Sequence, residues 1–133
     1  MTHPDRGGRF PIHYQALESQ IAELQDSLAD GVDPNVADSQ GFTPLHFAAQ
    51  SLSPEATKLL IDAGADLEAR NKFGATPLLV AMGNARDDDH GVVGILLEAG
   101  ADPDAQNNAG VSPRSLTELV ANYDLKRYLR IGD

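Results

Sequence analysis

The 133-residue chain has no cysteine and no tryptophan, and only three tyrosines, four phenylalanines and two methionines. Without cysteine there are no disulfides and no thiolate metal sites, which suits a reducing compartment. No apolar run approaches the roughly 18 residues needed to cross a bilayer. Basic residues are scarce: 10 Lys and Arg stand against 20 Asp and Glu, a net charge of −10. Such a chain repels phosphate backbones, so no nucleic-acid partner is expected. The same field would speed encounter with a basic protein, or would simply keep the chain soluble. Only residues 111–133 reverse the balance, with Arg114, Lys126, Arg127 and Arg130 against Glu118, Asp124 and Asp133. The start, Met1–Gly8, is polar with no apolar segment behind it. No secretory signal is therefore expected, and the localisation reads as cytoplasmic.

What is present is a period. Phe10-Pro11-Ile12-His13, Thr43-Pro44-Leu45-His46, Thr76-Pro77-Leu78-Leu79 and Ser112-Pro113-Arg114-Ser115 repeat one pattern, their prolines 33, 33 and 36 residues apart. A second marker keeps step: Gly31-Val32-Asp33, Gly64-Ala65-Asp66 and Gly100-Ala101-Asp102. Two markers on one beat signal a stack of short supersecondary units filling a single domain.

The second unit is the clearest. Thr43 suits a helix N-cap and Pro44 the first helical position, where a missing N–H costs nothing. Leu45, Ala48 and Ala49 make a short apolar stripe at helical spacing. Pro54 opens a second helix, with Ala56, Leu59, Leu60 and Ala63 as its expected buried face. Gly64 supplies the left-handed C-cap, and the polar stretch 65–74 leads to the next Thr-Pro.

These residues, with Gly41-Phe42-Thr43-Pro44-Leu45-His46-Phe47-Ala48-Ala49 and Lys58-Leu59-Leu60-Ile61-Asp62-Ala63-Gly64-Ala65-Asp66, resemble the ankyrin repeat, and the likeness covers essentially the whole chain. It implies an all-α repeat solenoid: four helix-turn-helix ankyrin repeats with projecting β-hairpin loops, at about 5–37, 38–70, 71–106 and 107–133. It also implies that His13 and His46 bond the loop backbone and are structural.

The units differ in informative ways. Unit one places Asp26 and Ser27 where unit two has Leu59 and Leu60, and unit four ends in the basic run from Lys126 to Arg130. Both read as caps, so the expectation is a complete protein. Unit three spans 23 residues from Pro77 to Gly100 against 20 in units one and two, which places an insertion near Asn84–His90. Such an insertion marks either a binding face or a neutral solvated turn.

No catalytic pattern survives. Leu79 and Ser115 fill the slot held by His13 and His46, and no nucleophile elbow or phosphate-cradling glycine loop occurs. Asp87, Asp88, Asp89 and His90 lack the spaced ligands of a cation loop. Neither cofactor nor metal is expected, and the chain reads as non-catalytic.

The resemblance places partner contacts on finger tips and on the exposed face of each first helix. Carried onto this chain, these are Arg9 in unit one and Gln40, Phe42 and Gln50 in unit two. Unit three offers Arg70, Lys72, Phe73 and Asn84, joined by Arg86, Asp87, Asp88 and Asp89 of the insertion. An aromatic beside a cation on an exposed tip is the composition enriched at interface hot spots. Alternatively, the rings of Phe42 and Phe73 fold back and pack adjacent fingers. The function read from all this is protein binding. The chain is expected to be a monomer when free and to cover a basic toxin or enzyme, as small bacterial ankyrin immunity proteins do. An adaptor bridging two proteins is the alternative.

Overall fold

The computed structural model describes residues 4–84 and 91–119, with side chains to 116. Among them are seven helices: α1 (Pro11–Leu17), α2 (Ile21–Ala29), α3 (Pro44–Ser51), α4 (Pro54–Asp62), α5 (Pro77–Asn84), α6 (Val92–Glu98) and α7 (Pro113–Leu119). α1, α3, α5 and α7 stack as an inner row, and α2, α4 and α6 form an outer row against them.

Each inner helix starts where proline presets its first residue, and before α3, α5 and α7 the preceding hydroxyl caps a free N–H group. In α3 the Thr43 hydroxyl accepts from the His46 N–H (3.4 Å), and His46 Nδ1 accepts from the Thr43 N–H (3.1 Å). Phe10 has no hydroxyl, so His13 Nδ1 alone closes the first turn of α1, at 2.9 Å from the Phe10 nitrogen. At α7, Ser115 does the same job: its Oγ accepts from the Ser112 N–H (2.8 Å), and Ser112 Oγ accepts from the Ser115 N–H (3.1 Å).

Ala16, Ala48, Ala49 and Ala81 are fully buried between inner helices, where small side chains let the backbones approach. Ile12, Leu45, Leu78 and Met82 fill the spaces between them, and Leu24, Leu60, Val92, Val93 and Leu96 come in from the outer row. The outer face of unit two is narrower than its sequence suggests. Ala56, Thr57 and Leu60 are buried, whereas Leu59 is half-buried and Ala63 is exposed. Thr57 is tolerated inside because its hydroxyl donates to the Ser53 carbonyl at 2.7 Å. In α2 only Leu24 is buried, and the helix packs against α1 and α4.

The fingers expected as β-hairpins are tighter than that, and no strand forms among the described residues. Each finger is a turn wrapped around one Asp or Asn carboxyl or amide oxygen. Asp38 Oδ1 accepts the N–H groups of Gln40 (2.8 Å) and Phe42 (2.9 Å), and Asn71 Oδ1 those of Phe73 (2.9 Å) and Ala75 (3.0 Å). Asp5 and Asn107 repeat the device at the two outer fingers. A turn closed by its own side chain leaves too little extended backbone for a ladder. Neighbouring fingers are joined by single backbone bonds, from Ser39 to Gly7 (2.9 Å), Lys72 to Gln40 (2.8 Å) and Asn108 to Phe73 (2.9 Å). Glycine is required at the closest approach. Gly74 has φ +77°, and a Cβ there would lie 2.8 Å from the Asn108 backbone nitrogen.

Candidate partner-binding surface

The connection between an outer helix and the next inner helix has two halves, and each is tied laterally to its neighbours. In the first half, Asn35 donates through Nδ2 to the Gly64 carbonyl (3.2 Å) and accepts the Asp66 N–H through Oδ1 (2.7 Å). One unit on, Glu68 accepts the Asp102 N–H at 2.9 Å. This half is acidic: Asp30, Asp33, Asp62, Asp66, Glu68, Glu98 and Asp102 are all exposed. Asp104 is paired with Arg114 at 2.7 Å, and that hydrogen bond holds its carboxyl below the usual carboxylate range.

The second half of each connection is the finger, and here the expected contact residues behave unequally. Arg9 turns inward. Its Nε donates to Asp38 Oδ2 at 3.1 Å, on a carboxylate that is fully buried, and its guanidinium lies 4.8 Å from the Phe47 ring centroid and 5.7 Å from that of Tyr14. The Asp38 bond raises the Arg9 pKa further. Tyr14 in turn donates to Asp5, which pushes the phenol up and the Asp5 carboxyl down.

Phe42 also folds back. Its ring stacks on Phe47 at 5.4 Å and meets His46 edge-on at 5.6 Å. Phe73 does the opposite, with 55% of its surface exposed. Lys72 Nζ sits over that ring at 5.1 Å, while Arg70 is tied down, donating to the carbonyls of Gly74 (2.9 Å) and Gln106. Gln40 is half-buried, and its side-chain oxygen is sealed from solvent without a hydrogen-bond donor. Gln50 is exposed at the end of α3, and Asn84 is exposed with its amide donating to the Val80 carbonyl at 2.9 Å. Arg86, Asp87, Asp88 and Asp89 lie outside the described residues. The insertion expected at Asn84–His90 falls almost wholly on the same residues.

Both described histidines are built into the scaffold. His13 Nε2 donates to the Val36 carbonyl and His46 Nε2 to the Ala75 carbonyl, each at 2.8 Å, pinning one finger to the helix before it. Burial pushes the His46 pKa below its ordinary 6.5, against a smaller opposing effect of the Ala75 bond. With Nδ1 accepting from Thr43, both ring nitrogens are engaged and neither is free for chemistry.

Sequence reasoning missed the Asx positions 5, 38, 71 and 107. Their spacing is the same as that of the prolines, and that periodicity was the available signal. It also missed the clasp between Arg9 and Asp38, whose partners are 29 residues apart in sequence and meet only when two units stack.

Comparison with known proteins agrees with this architecture. The family model described as ankyrin repeats in three copies matches residues 5–107. An ankyrin repeat-containing protein of Schizosaccharomyces pombe is 33% identical over 69 residues, covering 52% of this chain and 33% of that protein. Protein phosphatase 1 regulatory subunit 12A of Mus musculus is 36% identical over 81 residues, or 61% of this chain and 8% of the subunit. Mouse NF-kappa-B inhibitor delta is 36% identical over 77 residues, 56% of this chain and 24% of the inhibitor. The chain thus spans a third or less of these relatives' lengths. Helix pairs on a 33-residue beat, histidine pins between units and the family match over 103 of 133 residues (5 to 107) lead to one assignment: the chain belongs to the ankyrin-repeat family.

Proposed function

We propose that this chain is a non-catalytic protein-binding module of four repeats whose acidic connections cover a basic protein, in the manner of an inhibitor or of a toxin-immunity protein. Ankyrin repeats are protein–protein interaction modules, and the relatives include a regulatory subunit and an inhibitor. The observation that carries the basic partner is a local rule broken three times. Asp62 and Glu98 are the last residues of α4 and α6, Asp30 is the C-cap of α2, and none of the three helices has a base in its last turn. A carboxylate there opposes the helix dipole at a cost of roughly 0.3–1 kcal/mol each. Among the described residues, no side-chain hydrogen bond or ion pair compensates Asp30, Asp62 or Glu98. Residues that weaken the fold without a structural gain point to function.

The test is a triple variant, Asp30→Asn, Asp62→Asn, Glu98→Gln. Co-purification from the native host followed by mass spectrometry should give one stoichiometric partner of high pI with the parent chain. The triple variant should melt at equal or higher temperature and lose that partner. Retention of the partner at full stoichiometry, or a partner of low pI, would refute the basic-partner reading. The second reading, an adaptor, is favoured by one observation: Lys72 and Phe73 form an exposed feature of different chemistry in the other half of the connection.

A further inference from the structure

We infer that the tip of the third finger, Lys72 and Phe73, is a docking point for an acidic segment of a protein partner that lays an apolar side chain against the Phe73 ring. This rests on the protein-binding reading and adds a second surface with the opposite charge preference.

A single exposed apolar residue is ordinary on a protein surface. Three features set this one apart. Phe73 breaks its own row, because Gly7, Gln40 and Ala109 hold the equivalent tip positions of the other fingers. The remaining phenylalanines pack against the core: Phe47 is 2% exposed, and Phe10 and Phe42 are half-buried.

The tip is also rigid before anything binds. The Phe73 N–H donates to Asn71 Oδ1 (2.9 Å), and its carbonyl accepts from the Asn108 N–H (2.9 Å). Lys72 is held likewise, its N–H donating to the Gln40 carbonyl (2.8 Å) and its carbonyl accepting from Asn108 Nδ2 (3.0 Å). An anchor already fixed in place loses little backbone entropy on binding.

Residues 70–74 carry two cations and no acid, in a chain of net charge −10. Arg70 bonds only carbonyl oxygens, and no carboxylate pairs with Lys72 among the described residues. Asn71 replaces the aspartate found at this position in the two preceding fingers, so this turn brings no negative charge of its own. An ammonium over an aromatic face, paired with no carboxylate among the described residues, complements a partner that carries a carboxylate next to an aliphatic or aromatic side chain. Nucleic acid is disfavoured as the occupant, because the connection's first half places Asp66 and Glu68 within a few residues of the same finger.

The test pans a phage-displayed random peptide library on the intact chain, with counter-selection on Phe73→Ala. The enriched peptides should be acidic with at least one large apolar residue. Their affinity should fall about tenfold or more for Phe73→Ala and again for Lys72→Glu. It should also fall with rising salt, and Phe73→Ala should melt with the parent because the ring is exposed. A neutral or basic pool, peptides that bind Phe73→Ala equally well, no enrichment, or tighter binding of a single-stranded oligonucleotide would each overturn the inference. None of these results touches the basic partner sought by co-purification, so the two readings fail separately.

Discussion

Asp38→Asn isolates the charge in the clasp between the first two units. The Asp38 carboxylate is fully buried, and each oxygen has its own work. Oδ1 holds the finger turn through two backbone N–H groups, at 2.8 and 2.9 Å. Asparagine can keep both bonds, as Asn71 does one unit later at 2.9 and 3.0 Å. What it cannot keep is the bond from Arg9 at 3.1 Å, because its Nδ2 is a donor facing a donor. Charge-assisted hydrogen bonds of this kind contribute about 1.5–3 kcal/mol. Arg9 is 34% exposed and can turn partly to water, which puts the expected loss at the lower end, about 1–2 kcal/mol. Asp38→Ala also removes both turn bonds and should cost about 3–4 kcal/mol. The assay is urea unfolding followed by far-UV circular dichroism, with the slope in denaturant unchanged. In an Arg9→Met background the buried carboxylate has no cation, so Asp38→Asn should become neutral or stabilising. A loss below about 0.5 kcal/mol, or an equal loss in both backgrounds, would refute the clasp as an energetic unit.

Two further predictions concern the scaffold. Leu60→Ala removes a fully buried side chain between outer and inner helices and should cost about 2–5 kcal/mol, whereas half-buried Leu59→Ala should cost clearly less; equal losses in urea unfolding would contradict the packing. Because burial holds the His46 pKa below 6.5, the unfolded chain takes up that proton first. The histidine's stabilising effect is therefore complete above about pH 6.5 and declines as pH falls through that value. His46→Leu, which copies Leu79 of the next unit, should flatten that acid-side slope in melting temperature measured between pH 7.5 and 5, and an unchanged slope would exclude His46 as its source.

The inner helices were legible because their signals are local. Proline at the first turn, a capping hydroxyl before it and glycine after the outer helix each act within a few residues, and their shared period gave the stacking. The buried face of α4 was less legible. Leu59 and Leu60 are 100° apart on the helix, and only the positions of α2 and α6 decide which one points between the rows. The two finger phenylalanines differ for a reason that emerges once the units are aligned on their prolines. Phe42 immediately precedes Thr43 and falls beside the first turn of α3, within reach of His46 and Phe47. Phe73 lies two residues earlier in the same register, at the tip, where none of the described helices packs against it.

The same alignment separates structural cations from available ones. Leu79 stands where His13 and His46 pin the preceding junctions, so no imidazole occupies that slot at the fourth finger. Arg70 supplies that tie instead, bridging the Gly74 and Gln106 carbonyls across units three and four. Arg9 plays the corresponding part between units one and two, through Asp38. Two of the four cations in the described fingers are therefore held by the scaffold, leaving Arg6 and Lys72 with no side-chain hydrogen bond or ion pair among the described residues. Of these, only Lys72 sits against an exposed ring on a finger whose backbone is pinned from both sides. Substituting Arg70 should consequently perturb the junction between units three and four, and any loss of binding would follow from that disturbance. Under the proposed docking, Lys72 and Phe73 are the positions where substitution should change binding while stability stays put.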